Sequence, residues 1–361
     1  MYNAALRLLV YHGAQRMGTV ESADSLQWMP CFDDVGEVKL VCAATPQNRA
    51  LLRTDARLYN LDTPGMAAII VSVQLASDTL QMTVRGRFGL DLLSRRVCMG
   101  KHTITDAAAG LLQLCRDNLR GLPVSIPQAA GFTAACQEAV DWRDCGSAAV
   151  QLAQAGGFGV RVAFDPVTGS ESLQLVQGVD RTTPGTENYR GYFSTRMQNL
   201  SAVTYTTSTD DYANVVICGG EEPSEGDSFS RYICTVGAVD AAGAARRELW
   251  VDGSSVRHKY TEQVNGASVE KSYTEPEYQQ VLQHYALAAL VAHLGSRELK
   301  CTAADSPMIF GSDYNIGDRV PVIVEEFGLH ATARVARVKI IYEETGRTLC
   351  PVFDAFKIEG E

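Results

Sequence analysis

Six histidines, ten cysteines and 42 acidic side chains are the groups with which this chain of 361 residues could do chemistry. Their spacing decides which chemistry. A zinc protease sets two imidazoles on one helix face with a glutamate beside the first, as His-Glu-x-x-His. His284 and His293 fall in one predicted helix but stand nine residues apart, point to different faces and lack that glutamate. They read as exposed or half-buried helix residues. A serine hydrolase of the elbow type needs Gly-x-Ser-x-Gly between a strand and a helix, and the chain contains no such run. Triads built from distant segments stay open. Gly156, Gly157 and Gly159 suggest a phosphate loop, yet they follow a helix and no Gly-Lys-Ser/Thr comes after them. A helix C-cap and the start of the next strand account for them.

Carboxylates and thiols lead to the same place. Asp33-Asp34 and the group Glu221, Glu222, Glu225 and Asp227 lack the alternating ligand spacing of a calcium loop and read as solvated turns. A glycosidase pair cannot be located by spacing, so that chemistry stays open. The cysteines, at 31, 42, 98, 115, 136, 145, 218, 234, 301 and 350, form no Cys-x-x-Cys pair. They read as mostly buried, reduced thiols acting as small hydrophobes. Trp28, Trp142 and Trp250 lie in three separate segments and read as core or edge packing, not as a sugar platform. No catalytic residue, cofactor or metal is expected.

Composition sets the frame for the elements. Hydrophobic residues make up 46% and charged residues 20%, an ordinary globular balance. The length suggests two or three domains. A formal net charge of −10 argues against a broad DNA-binding face, though not against DNA passing nearby. Ala4 to Val10 is apolar but short and broken by Arg7, so no signal peptide is expected. No stretch reaches the length of a membrane span, and the chain is expected to be cytosolic at synthesis.

Residues 1–101 read as mostly strand. Ile69, Val71, Val73 and Leu75 share one face of a predicted hairpin that returns through Leu80, Met82 and Val84. Asp91 to Arg95 suggests a short helical turn. From about 102 the period changes. Asp106 caps a predicted helix through Leu119, a second helix runs over 146–154, and strands follow at 160–164 and 173–176. Residues 102–194 are thus a compact α/β unit between β regions. Strands return at 213–218 and 229–236. The clearest helix, about 275–294, opens with a Thr274/Glu277 capping box and Pro276 in its first turn. Val281, Leu282, Tyr285, Ala288, Ala289 and Leu294 are its expected buried stripe, and Gly295 its stop.

The last segment carries the most information. Asn315 to Asp318 is a predicted turn, with Gly317 able to take positive φ. Val320, Val322 and Val324 then alternate, Gly328 turns the chain, and a second strand runs to Tyr342. This stretch resembles the closing segment of the Reqi-Pepy-type siphovirus tail protein family, where a YxxGDxVxV strand precedes an ARVxxVxxxYEExG strand. Gly317, Asp318, Val320, Arg334, Val335, Val338, Tyr342, Glu343, Glu344 and Gly346 occupy the patterned positions. Residues 24–28, the strand opened by Gly36 at 36–40, and 48–52 resemble the family's opening strands. Arg85 to Val97, with Asp91, resembles its G-x-DLLxxR segment. There the Phe88-Gly89 pair separates Gly86 from Asp91 by more than the pattern expects. Asn199-Leu200 followed by 211–217 is a weaker match.

The resemblance implies a mainly β fold with an α/β insertion (α+β). Two barrel-like hub domains would carry small peripheral domains. The spans would be 1–101 for the first barrel, 102–194 for the peripheral domain, and 195–300 for the second β domain, completed by 301–361. It also implies that 301–361 pairs with strands between 195 and 252. The function implied is structural: a tail tip or baseplate hub that joins a hexameric tail tube to a trimeric tip and lines the DNA exit channel. Its partners would be two further copies, tail tube or distal tail proteins, and tip or fibre proteins. DNA would meet it only in transit, and no membrane insertion is implied. The place would be the virion tail, after synthesis and assembly in the bacterial cytoplasm. The alternatives are a tail-associated cell-wall hydrolase and a receptor- or carbohydrate-binding tail protein. The hub-like strands run to Glu361, which leaves no expected room for a C-terminal lytic domain.

Overall fold

A computed structural model describes residues 8–20, 23–224, 229–264, 267–293, 296–304, 306–343 and 346–358. The fold is mainly β, with few helices. Strands β1 (Leu8–His12), β2 (Gln15–Val20), β3 (Ser25–Met29) and β4 (Glu37–Ala43) come first. Helix α1 (Pro46–Leu51), β5 (Arg57–Asn60), β6 (Ala67–Ala76) and β7 (Gln81–Phe88) follow. A 3-10 turn, Gly89–Arg95, stands where the helical turn was expected. Period-2 burial explains these strands: β4 turns Val38, Leu40 and Cys42 inward, and β7 does so with Met82, Val84 and Phe88.

The β6 hairpin differs from its expected single buried face. Ile70 pairs with Gly86 and Ser72 with Arg85, so Val71 bulges out of the ladder. The bulge shifts the alternation, and β5 covers β6 only at Ala67–Ile69. Val71 and Leu75 therefore stand 43% and 54% exposed.

The α/β segment contains β8 (Lys101–Asp106), α2 (Ala107–Asn118), β9 (Val124–Ser125), β10 (Ala135–Asp141), α3 (Cys145–Gly156), β11 (Gly159–Phe164) and β12 (Glu171–Val176). Asp106 caps α2 by accepting from the amides of Ala108 and Ala109. Gly157, at φ +69°, ends α3 in the left-handed conformation. Leu111, Leu112 and Cys115 of α2 pack with Ala149 and Leu152 of α3, and the same core takes in Ile69, Leu90 and Leu93. This segment therefore shares its core with the preceding strands.

Next come β13 (Phe193–Ser194), β14 (Leu200–Ser208), β15 (Val215–Gly219), β16 (Ile233–Gly237), β17 (Glu248–Asp252), β18 (Lys259–Val264) and β19 (Ala267–Ser272). Helix α4 (Glu275–Ala292), β20 (Ser296–Ala303), β21 (Arg319–Val324), β22 (Leu329–Glu343) and β23 (Gly346–Ile358) complete the chain. Paired strands β14 and β20 lead out of one compact unit, residues 1–203 with 301–361, into a second, residues 204–300, and back.

Among the described residues, eleven strands join one sheet in the first unit. Its path is β13-β21-β22-β3-β4-β7-β6-β5-β1-β2, with β23 also on β22. Residues 301–303, in β20, do pair with β14, but β21, β22 and β23 correct the expected pairing of 301–361 with 195–252, because they join the opening strands through β3. The physical reason is the length of β22. Its 15 residues outrun any one neighbour, so β21 covers 329–334 and β3 covers 340–342 on the same edge. Strand β23 takes the opposite edge.

In the second unit, β16-β15-β17 form a three-stranded sheet and β18-β19 a hairpin. The capping box of α4 is present: Glu277 accepts from the Thr274 amide and hydroxyl, each at 2.8 Å. Its buried stripe is Tyr278, Leu282, Ala286 and Leu290, packed on Val216, Cys218 and Cys234. Among the described residues of the expected stripe only Leu282 is fully buried, and Tyr285 is 40% exposed. Residues 285–292 are apolar all round, so periodicity could not fix the inward face there. Helix α4 ends at Ala292; Leu294 and Gly295 lie outside the described residues.

Candidate functional site

The patterned residues of the closing strands meet others around one aromatic ring. Gly317 has φ +96°, and a Cβ there would lie 2.2 Å from Cε2 of Phe32. Backbone and space both require glycine. Asp318, 2% exposed, accepts from Arg181 Nε at 2.6 Å and from the amides of Val179 at 2.8 Å and Asn315 at 2.9 Å. The Gly317 amide donates to the Val335 carbonyl, and the Val335 amide donates to that of Asp318. The turn thereby ties Val179–Arg181 to the start of β21 and to β22. Charge-assisted bonds on both carboxylate oxygens offset the cost of burying this pair.

Arg334 of β22 faces Asp354 of β23 in register. It grips that carboxylate twice, Nε to Oδ1 at 2.8 Å and Nη2 to Oδ2 at 2.9 Å, and Nη2 reaches Asp33 Oδ2 at 3.0 Å. The bond to Asp354 leads in holding Arg334 above its ordinary value. Burial pushes Asp33 up, more than the nearby guanidinium pulls it down. The guanidinium carbon sits 5.1 Å from the Phe32 ring centroid. A third wall is Gly159, whose Cβ would come within 2.5 Å of the same ring. Phe32 donates its amide to Ala336 and accepts from Val160. One side chain thus joins β11, the β21 turn and β22.

Beside it opens a polar cleft of about 350 Å³, lined by Cys31, Asp33, Asp34, Gln154, Arg337 and Asp354 with Arg334. Its central charges are matched within the chain by the Asp33–Arg334–Asp354 bridge.

Tyr342 forms a second bracket. Its hydroxyl donates to Asp62 Oδ2 at 2.7 Å and accepts from Asn60 Nδ2 at 3.2 Å. Burial pushes it up to about 12. It fastens β22 to the turn after β5. Asn199, fully buried, accepts from the Ser194 amide at 2.7 Å and donates to the Tyr192 carbonyl at 3.2 Å. Gly36 has φ +71°, with space for a Cβ closed by Met29 O at 2.7 Å. Asp91, in the 3-10 turn, pairs with Arg87 of β7 at 3.3 Å. Gly346, φ +130°, has open space around it and serves conformation alone. Gly317, Asp318 and Arg334 converge; Gly36, Asp91, Asn199, Tyr342 and Gly346 stand elsewhere in the same unit.

Sequence reasoning missed Phe32, Arg181, Asp33 and Asp354 as partners, since nothing local marks them. It missed Gly178, whose Cβ would lie 1.8 Å from the Gly317 carbonyl oxygen. Counted from Gly89, not Gly86, the G-x-DLLxxR spacing fits without departure. Gly89 is closed by the Val162 carbonyl oxygen at 2.9 Å.

The other chemistry-bearing residues are occupied or apart. His284 is exposed, and His293 Nδ1 lies 2.9 Å from the Ala289 carbonyl. Glu221 is no solvated turn residue. Burial would raise it, but bonds from the His258 amide and ring and from Arg257 hold it below the usual range. Glu222 pairs with Arg231, while Glu225 and Asp227 lie outside the described residues. Trp28 is core, packed edge-on to Phe88, whereas Trp142 and Trp250 are exposed. All ten cysteines are free thiols, with Cys98 and Cys145 touching at 3.2 Å.

This geometry is that of a scaffold braced by buried ion pairs and glycine-shaped contacts, and it has known counterparts. The family described as Siphovirus ReqiPepy6 Gp37-like protein matches residues 9–353, and the chain belongs to it. The family read from the strand motifs is the same. The 43 kDa tail protein of prophage MuSo2 from Shewanella oneidensis shares 12% identity with a TM-score of 0.57, over 96% of this chain and 98% of that one. The tail protein from Neisseria meningitidis MC58 shares 14% with a TM-score of 0.56, over 97% of each chain. At such identities the likeness is one of fold. No curated protein matches the chain by sequence.

Proposed function

We propose that the chain is a structural hub of a phage or prophage tail tip. Three copies form a ring that adapts the hexameric tail tube to a three-fold tip and lines the DNA exit channel. The observation that carries this reading is the shared fold, which runs end to end through two tail proteins, one of them from a prophage. Family membership over residues 9–353 supports it. Each copy would offer two β units to its ring, so that three copies imitate six-fold symmetry. Exposed strand edges supply the means of pairing between copies. The patterned residues Gly36, Asp91, Asn199, Gly317, Asp318, Arg334, Tyr342 and Gly346 then act as braces of the protomer, not as a reacting site.

A cell-wall hydrolase is the alternative. Against it stands the occupation of Asp318, Asp354 and Asp62 by arginine, amide and hydroxyl donors. The purified chain is expected to leave peptidoglycan uncut and to carry no stoichiometric metal. Muralytic activity that disappears on changing one Asp, Glu or His would overturn the structural reading. Antibody-labelled tails imaged by electron microscopy test the position: label at the tip supports the hub, and label along the tube contradicts it.

A further inference from the structure

The edge joining the 3-10 turn and β8 to the β10–α3 connection is built irregularly. Val97 bridges Asp144, and Lys101 pairs with Asp141. Three residues, 98 to 100, therefore oppose two, 142 and 143, which is a bulge. Gly100 takes φ +91°, and Trp142, a bulky residue, takes φ +41°. A bulge with a strained backbone re-aims a side chain, and here it turns tryptophan outward. Trp142 is 64% exposed, Met99 56% and Val97 44%. Nothing in the chain's own packing requires this.

The surroundings give the strip a sign. Arg120, itself at φ +40°, donates to the Val97 carbonyl at 2.9 Å and to Asn118. Arg96 donates to the Leu119 and Arg95 carbonyls, and Arg143 to the Gln151 side chain. Among the described residues none of these three guanidiniums has a carboxylate partner. With Lys101 they set four cations against Asp141, Asp144 and Glu138, the last reached through Gln151, on a chain whose net charge is −10.

We infer that Val97, Met99 and Trp142, with Arg96, Arg120 and Arg143 on the same irregular edge, form a docking site for an acidic protein segment that lays an apolar side chain on the tryptophan. A strained, exposed tryptophan flanked by arginines is the composition of an interface hot spot. Charge complementarity selects an acidic occupant over a second copy's basic face. Single-stranded nucleic acid fits less well, because Val97 and Met99 offer no ring on which a base could stack. The occupant is a neighbouring tail protein, and that class rests on the tail reading above.

The test places a photo-crosslinking p-benzoylphenylalanine at position 142 of the full chain, assembles it into tails and identifies the captured peptide by mass spectrometry. A segment of a different tail protein is expected, richer in Asp and Glu than in Lys and Arg and bearing a large apolar residue. The R120E/R143E variant should reduce capture by at least about tenfold while its thermal midpoint stays put. Capture of DNA, of another copy, or of a neutral or basic segment would overturn the inference. So would no capture from tails that contain the chain. A chain absent from the tails contradicts the tail reading as well, which keeps the two failures distinct.

Discussion

At Gly317 the backbone and the packing make the same demand, and the two can be separated by experiment. Gly328 also has a left-handed φ, +59°, but open space around it. Gly328→Ala is expected to cost about 1 kcal/mol from strain alone. Gly317→Ala adds a clash with the Phe32 ring and should cost about 3 kcal/mol in urea titrations. Equal costs would show that Phe32 yields freely. Trp142 reverses the sign. Trp142→Gly relieves a left-handed φ and should stabilise by about 1 kcal/mol. A destabilised variant would mean that the tryptophan packs. Tyr342 carries a pH dependence. Its folded value, about 12, lies above the ordinary 10.0, so the native state keeps a proton that the unfolded state loses. Stability is whole below about pH 10 and falls as pH rises toward 12, by on the order of 2 kcal/mol. Tyr342→Phe should flatten that part of the pH curve, and an unchanged slope would assign it to the buried thiols instead.

Elements were legible where their signals are local. Thr274 with Glu277, and Asp106 before an apolar stripe, announce helix starts because capping uses residues within one turn. Which strands pair was not legible, because period 2 is the same whatever lies alongside. Val71 shows the limit most clearly: one bulged residue moves Val71 and Leu75 to solvent, and the sequence holds no mark of it. The site divides the same way. Gly317, Asp318 and Arg334 stood out through their motif, but Arg181 lies 137 residues from Asp318, and Asp33 lies 301 from Arg334. Helix α4 offers a direct check of its corrected face. Leu282→Ala, at the buried stripe, should cost about 2–5 kcal/mol, whereas Leu287→Ser, on the exposed side, should stay within about 0.5. Hydrogen exchange across residues 204–300 would register both, and the reverse order would contradict the buried face described above.

On the scale of the whole molecule, charge and symmetry oppose each other. In the proposed ring, three copies would bring together a formal −30, three times −10. That repulsion resists ring closure at low salt, so the isolated chain is expected to be monomeric there and to close more readily at higher ionic strength or with its tube-side partner. The same acidity suits a wall past which DNA slides, since Lys and Arg would bind its phosphates. A cryo-microscopy map of the assembled tail tip, with this chain located, tests the hub most directly. Three copies around an axial hole, with few Lys or Arg on its wall, are expected. Six copies, an off-axis position or a basic belt around the channel would contradict the hub.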